Sequence, residues 1–343
     1  MNGLERILAA VTGGRPDLTP VAPVLLMQGA KVLGEPLSSY FGTPRRLAEG
    51  QLALIERFDH DAVFAFPHVV QDVLPWGSAI DLHDDGPPSV RGMVIHDLES
   101  IPSLTVPDPT RHAYTRATLE AARQLAGRVK GDRAIVGAVI GPFSLPSMLM
   151  GTKRFLSLLA DDAATRDRLL PVLMAKMVEY TTRWAQAQLD AGCDLVVIAE
   201  GISSASVIDE ATFQRHALPT LRETVRRIRG PVALEPVGHA APFLRHYRDL
   251  GVAALLIGEA DRITHARRTL GPRFPLMGNL NNLKLLRLSP ERVRFEARRA
   301  IAEGGAAFIL SNQGPEVPWD VPDETIDALV LAARTGVAGR RAA

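Results

Sequence analysis

The sequence predicts an α/β fold in which eight parallel strands close into a (β/α)8 TIM barrel. Three observations point there. Eight short, nearly continuous apolar runs are spread along the 343 residues, and helical patterns separate most of them. Strands without polar alternation are buried on both faces, as in a parallel sheet covered by helices. The composition, 46% hydrophobic and 22% charged, supports a large core. An open, doubly wound sheet is the alternative architecture.

The elements follow in chain order. Met1–Gly13 (MNGLERILAAVTG) reads as an N-terminal amphipathic helix, because Glu5 and Arg6 interrupt the apolar run that a secretory signal needs. The strands are expected at Ala22–Gln28, Ala62–His68, Ala134–Gly141, Asp194–Glu200, Val232–Val237, Ala253–Gly258, Phe274–Asn279 and Ala306–Asn312. Helical patterns cover Thr43–Phe58, Arg116–Val129, Ala163–Ala191, Asp209–Ile228, His239–Gly251 and Pro290–Gly304. After the second strand, Trp76–Asp108 carries DDGPP between two short alternating runs, which reads as a hairpin insertion. One barrel domain is expected over 1–335, with 336–343 a disordered tail.

Several function classes drop out. A formal net charge of +1 lacks the basic bias of a nucleic-acid binder. No run approaches the roughly 18 apolar residues of a membrane span. Cys193 is alone, which excludes an internal disulfide or a Cys-rich metal cage, fits a cytoplasmic protein, and reads as packing. No Walker loop, GxGxxG or GxSxG is present.

In a barrel the chemistry sits at the C-terminal ends of the strands. Those ends carry Gln28, His68, Gly141-Pro142-Phe143, Glu200, Glu235, Glu259, Asn279 and Asn312-Gln313. Glu200 and Glu235 end consecutive strands about 5 Å apart. Two carboxylates in one mouth repel, so one pKa rises, or a cation intervenes, or a positive side chain pairs with one. The first outcome makes Glu235 or Glu200 a general acid. The second makes Glu235, Glu200 and His239, in EPVGH, a metal site, although the spacing matches no known zinc pattern. Asn279, Asn281 and Asn282 (GNLNN) offer amides to a polar ligand, or form an Asx turn. Trp319, in VPWDVP, lines or closes the pocket.

The motifs together resemble the uroporphyrinogen decarboxylase superfamily, which includes corrinoid-dependent methyltransferases. The carriers are Gly14-Arg15-Pro16-Asp17, MQGAK at Met27–Lys31, and IGPFSLPSMLMGTKRFL at Ile140–Leu156. Further carriers are ATFQRHALPTL at Ala211–Leu221, PLMGNLNN at Pro275–Asn282 and NQGPEVPWDVPDETI at Asn312–Ile326. The GPFSL…MGTKRFL stretch looks more like the methyltransferase branch. The decarboxylase's MRQAGR corresponds to LMQGAK here, its Asp after strand two to His68, and the His of its NLGHG to Pro315. A polycarboxylate substrate needs cationic partners. Lys31 alone remains at the matching stretch.

The zinc methyltransferases' His-x-Cys corresponds to Glu235-Pro236-Val237, and their later Cys lies near Gln313-Gly314. Their GNLDP is GNLNN, with Asn281 for the acid. The resemblance therefore implies methyl transfer between a corrinoid (methylcobalamin or a corrinoid carrier protein) and tetrahydrofolate or a methoxy or methylamine compound. Glu235, Glu200 and His239 would be catalytic. Gln28, Lys31, His68, Phe143, Asn279, Asn281, Asn312, Gln313 and Trp319 would hold the small-molecule donor or acceptor. Zinc is the uncertain cofactor, and relatives include homodimers. A decarboxylase of another substrate, with Lys31 holding a carboxylate and His68 in the acid's place, is the runner-up. A non-catalytic tetrapyrrole or corrinoid binder comes after it.

Overall fold

The computed structural model describes residues 1–335; the expected tail at 336–343 lies outside them. Nine strands form: β1 (Ala62–Phe64), β2 (Ala79–Asp81), β3 (Ser89–Arg91), β4 (Ala134–Ile140), β5 (Leu195–Glu200), β6 (Val232–Pro236), β7 (Ala254–Ile257), β8 (Leu276–Asn281) and β9 (Phe308–Gln313). Seven of them build one curled parallel sheet in the order β1-β4-β5-β6-β7-β8-β9. β2 and β3 pair antiparallel around the DDGPP turn, which is the expected hairpin.

The expected first strand, Ala22–Gln28, does not form a ladder. Only Val21 bridges, to Leu310. Pro23 has no N–H, and the Val24 N–H is taken by the Asn312 side chain at 2.8 Å, so the ladder cannot propagate. The chain is already helical at Gln28–Leu33. Residues 20–22 nevertheless join the two sheet edges. Leu310 N donates to Pro20 O and Ala22 N to Leu310 O on one side, and Asp61 N donates to Val21 O on the other.

The helices fall largely where expected, at Pro44–Phe58, Ala113–Val129, Ala163–Asp190 and Pro290–Gly304. The helix after β5 contains a π-helical turn at Phe213–Ala217. His239–Gly251 holds only short turns, Ala241–Phe243 and Leu244–Tyr247, because Gly238 (φ 98°), Pro242 and the contacts of His239 hold the start of the segment out of helix. Among the described residues no helix is long and apolar enough to cross a membrane.

Strand alternation sorts the core into two layers. Val63, Ile135, Val196, Ile198 and Leu234 face the surrounding helices. Phe64, Val136, Val197, Ala233 and Met277 face inward. The N-terminal helix Gly3–Val11, started by an Asn2/Glu5 capping box, lays Ile7 and Ala10 against the inner layer and so covers one end of it. Fully buried Asp61 anchors this end. Its carboxyl oxygens accept from Arg6 (3.3 Å), Arg334 (2.9 and 3.1 Å) and the Val21 amide (2.7 Å).

Candidate active site

Alternation also decides what the two strand-end glutamates do. Ala199 pairs with Glu235 and Glu200 with Pro236, so Glu235 shares the inward face while Glu200 leaves by the outward one. The expected pair of carboxylates in one mouth is therefore corrected. Glu200 turns onto the Gly141–Ser144 turn, where it accepts from Phe143 N (3.0 Å) and Ser144 Oγ (2.6 Å). Gly141 leaves room for it, since a Cβ there would collide with the carboxyl. Ser144 Oγ in turn accepts from Ile202 N. Burial raises Glu200 to about 7, opposed by these two bonds. Both oxygens are engaged, which describes an anchor for the turn. The Phe143 ring stacks edge-on to Phe155 in the core.

Glu235 is different. It is 7% exposed, and its Oε1 has no hydrogen-bond partner. It lines both a small cleft with Pro236–Gly238, Gln313 and Gly314 and a larger apolar cavity below. Burial, and then the charge of Glu316, raise its pKa to about 7. Glu316 is itself raised to about 7 by burial. A partnerless buried carboxyl beside a second one is the arrangement that holds a proton at neutral pH. The like-charged neighbour of Glu235 is thus Glu316 from the loop after β9. In the sequence it is one letter of NQGPE, with no spacing to mark it.

His239 follows in the same loop. Its Nδ1 lies 2.7 Å from Asp261, which also accepts from Ala240 N (2.8 Å) and Ala241 N (2.9 Å). Asp261 is fully buried, whereas the His239 side chain is 39% exposed. The contact orients the ring through Nδ1 and leaves Nε2 outside it. No local pattern links two residues 22 apart, so Asp261 was not legible beforehand.

The remaining positions separate into two groups. His68 is buried, pushed down to about 3 by burial, and hence a neutral ring. Its Nε2 meets Tyr114 OH at 2.7 Å, and Phe41 stands edge-on to it. Asn279 is 7% exposed, and Gln313 Oε1 accepts from Glu259 N. The others brace loops. Gln28 Nε2 donates to Val317 O and Pro318 O, and Lys31 Nζ to Trp319 O at 3.2 Å. Asn312 holds Val24. Asn281 accepts from Leu283 N and Lys284 N in an Asx turn and donates to Glu259. Cys193 is buried, its thiol pushed up to about 12 by burial.

The residues present do not fit a zinc ion. Both Glu200 oxygens are committed on the outward face of the sheet, and the lone thiol is buried. Among the described residues no group of three or more His, Cys, Asp or Glu is placed to hold a metal. The expected Glu235, His239 and Glu200 metal set is corrected for the same reason as the carboxylate pair: Glu200 lies on the other face of the sheet.

Known proteins place the chain more closely. The family described as Uroporphyrinogen decarboxylase (URO-D) matches residues 2–336. A uroporphyrinogen decarboxylase of Thioalkalivibrio sulfidiphilus is 28% identical over 95% of this chain and 96% of its own. The methylcobamide:CoM methyltransferase MtaA of Methanosarcina barkeri is 26% identical over 63% of this chain and 62% of its own. A solved methyltransferase from Methanosarcina mazei superposes with a TM-score of 0.88 at 26% identity, covering 98% of this chain and 99% of that one.

Proposed function

Because the chain belongs to the uroporphyrinogen decarboxylase family, we propose that it is an enzyme of the methyltransferase branch. It moves a methyl group between a corrinoid, free or on a carrier protein, and tetrahydrofolate or a methoxy or methylamine-type small molecule. The observation that carries this reading is the free, buried Glu235 carboxyl beside Glu316, titrating near neutrality at the head of an apolar cavity. Breaking a methyl–oxygen or methyl–nitrogen bond leaves a heteroatom that needs a proton. A carboxyl with a pKa near 7 is well matched to donate one. A reduced corrinoid supplies the electron pair that accepts the methyl group. In the opposite direction, ionised Glu235 takes the proton from the methylated nitrogen of tetrahydrofolate. His239 Nε2, oriented through Asp261, is the second polar group of this loop. The likeness to the methyltransferase from Methanosarcina mazei over nearly the full chain supports the same branch.

The second reading is decarboxylation, favoured by the 28% identity to a uroporphyrinogen decarboxylase. Glu235 would then protonate the carbanion left by carbon dioxide. Against it, Lys31 donates to Trp319 O, and the acids, not cations, gather at the cavity head.

Visible spectroscopy tests the two. One cuvette holds protein, methylcobalamin and tetrahydrofolate or a thiol. Another holds reduced cobalamin with methoxy and methylamino compounds. Protein-dependent interconversion of methylated and reduced cobalamin is expected. Carbon dioxide release from a candidate acid, with no change in either spectrum, would transfer the assignment to the decarboxylase.

A further inference from the structure

The interior of a parallel barrel is ordinarily filled by layers of branched side chains. Here small side chains take many of the inward positions. Ala22, Ala62, Ala134, Ala138 and Ala199 all line one cavity of about 260 Å³. Its lining runs from Leu8 and Thr12 of the N-terminal segment to Glu235 and Pro315 at the other end of the strands. Leu195 and Val197 remain half-buried although β5 is flanked by strands on both sides, because they face this space. Leu8 is 47% exposed and marks where the bore meets solvent.

We propose that this bore is a binding site for a small, uncharged aromatic or alicyclic molecule whose one polar atom meets Glu235. Three arguments define the occupant. An engineered apolar cavity of about 150 Å³ stays dry and takes benzene, so by proportion this one takes a body of about ten non-hydrogen atoms. Ordered water needs two to four polar partners, and the bore provides few. Asp194, at the floor, is already held by Lys130 Nζ (2.5 Å) and Ile135 N (3.0 Å). Glu235 Oε1 has no partner, so it is where a single hydroxyl, ether or amine of the guest finds a hydrogen bond. Anions are disfavoured because no Lys or Arg lines the apolar bore to offset the hydration they would lose.

The inference deepens the methyl-transfer reading by naming a substrate class: the atom that meets Glu235 is the one that bears the methyl group. Binding can be read without any corrinoid, so failure of one leaves the other intact. The full-length protein is titrated at pH 6 with 2-naphthol, a neutral bicyclic fluorophore, and with 2-naphthalenesulfonate. Saturable binding of 2-naphthol at one site, with a raised Tm, is expected, and weaker binding of the sulfonate. Ala138→Leu and Val197→Phe fill the bore from two strands. Each should weaken 2-naphthol binding at least about tenfold while the circular dichroism spectrum is kept. Diffraction from crystals soaked in 6-bromo-2-naphthol locates the guest directly, even where a filled variant fails to fold. Bromine density inside the bore supports the proposal. Density elsewhere or none, equal binding of the sulfonate, or wild-type affinity in a folded filled variant overturns it.

Discussion

His239 and Asp261 meet at 2.7 Å, the ring partly in solvent and the carboxyl fully buried, and two further backbone amides donate to that same carboxyl. One acid therefore fixes both the imidazole and the turn that follows it. The two roles can be separated. His239→Ala should leave stability nearly unchanged, because the side chain it removes is partly in solvent. Asp261→Asn should cost about 1–3 kcal/mol by leaving a buried amide unpaired. If Asp261 acts through the ring, the double variant turns over no more slowly than His239→Ala alone. Additive losses in kcat would exclude that coupling.

Glu235→Gln keeps the shape and removes the proton. Turnover should fall about 10²–10⁴-fold. In the wild type, methyl removal from an ether or amine should decline as pH rises through about 7, since the protonated carboxyl is the active form. An unchanged pH profile in Glu235→Gln would remove Glu235 from the reaction.

The same shift makes a stability prediction of definite sign. Glu235 has a folded pKa of about 7 against an ordinary 4.5, so the folded protein holds the extra proton between them. That contribution is complete below pH about 4.5 and is lost as pH rises to about 7. Urea unfolding should therefore find Glu235→Gln equal to wild type at pH 4.5 and more stable at pH 8, by about 1–3 kcal/mol. Equal stabilities at pH 8 would show that Glu235 ionises without penalty.

Asp61 joins two arginines and the Val21 amide, all at the N-terminal ends of the strands. Asp61→Ala should lose about 1–3 kcal/mol in denaturant unfolding, because the buried Val21 amide is left unpaired, while Arg6 keeps Asp17 and Arg334 keeps Asp59. The remaining folded fraction should bind 2-naphthol, since the cavity head is built by other strands.

Treatment with a strong chelator, followed by gel filtration, should leave both Tm and turnover with corrinoid unchanged. A loss restored by zinc would show that side chains rearrange into a ligand set that they do not form here.

Most of the sheet was legible because seven strands are buried on both faces and write that burial as unbroken apolar runs. Residues 22–28 write the same run yet form no ladder, since one missing N–H at Pro23 and one intruding amide from Asn312 outweigh apolarity. At the site, composition marked Glu200 and Glu235 alike. A one-residue offset in register sends them to opposite faces, and no letter in either strand records that offset. Glu316 and Asp261 were missed because each meets its partner from a loop that follows a different strand. The alanines lining the bore were visible as letters, but an alanine inside a strand reads as core until the space beside it is seen.

The bridging of the sheet edges by residues 20–22 bears on how the molecule assembles. β1 and β9 are the terminal strands of the ladder, separated by more than two hundred residues of sequence, and the segment that joins them precedes both. Until β9 arrives, that segment can bond only to the β1 side, and a row of unsatisfied amides and carbonyls stays open to any neighbouring chain. Ring closure is thus a late, non-local event. The hazardous species in refolding is a curled sheet one seam short of complete, and dilution should protect it better than any single stabilising substitution.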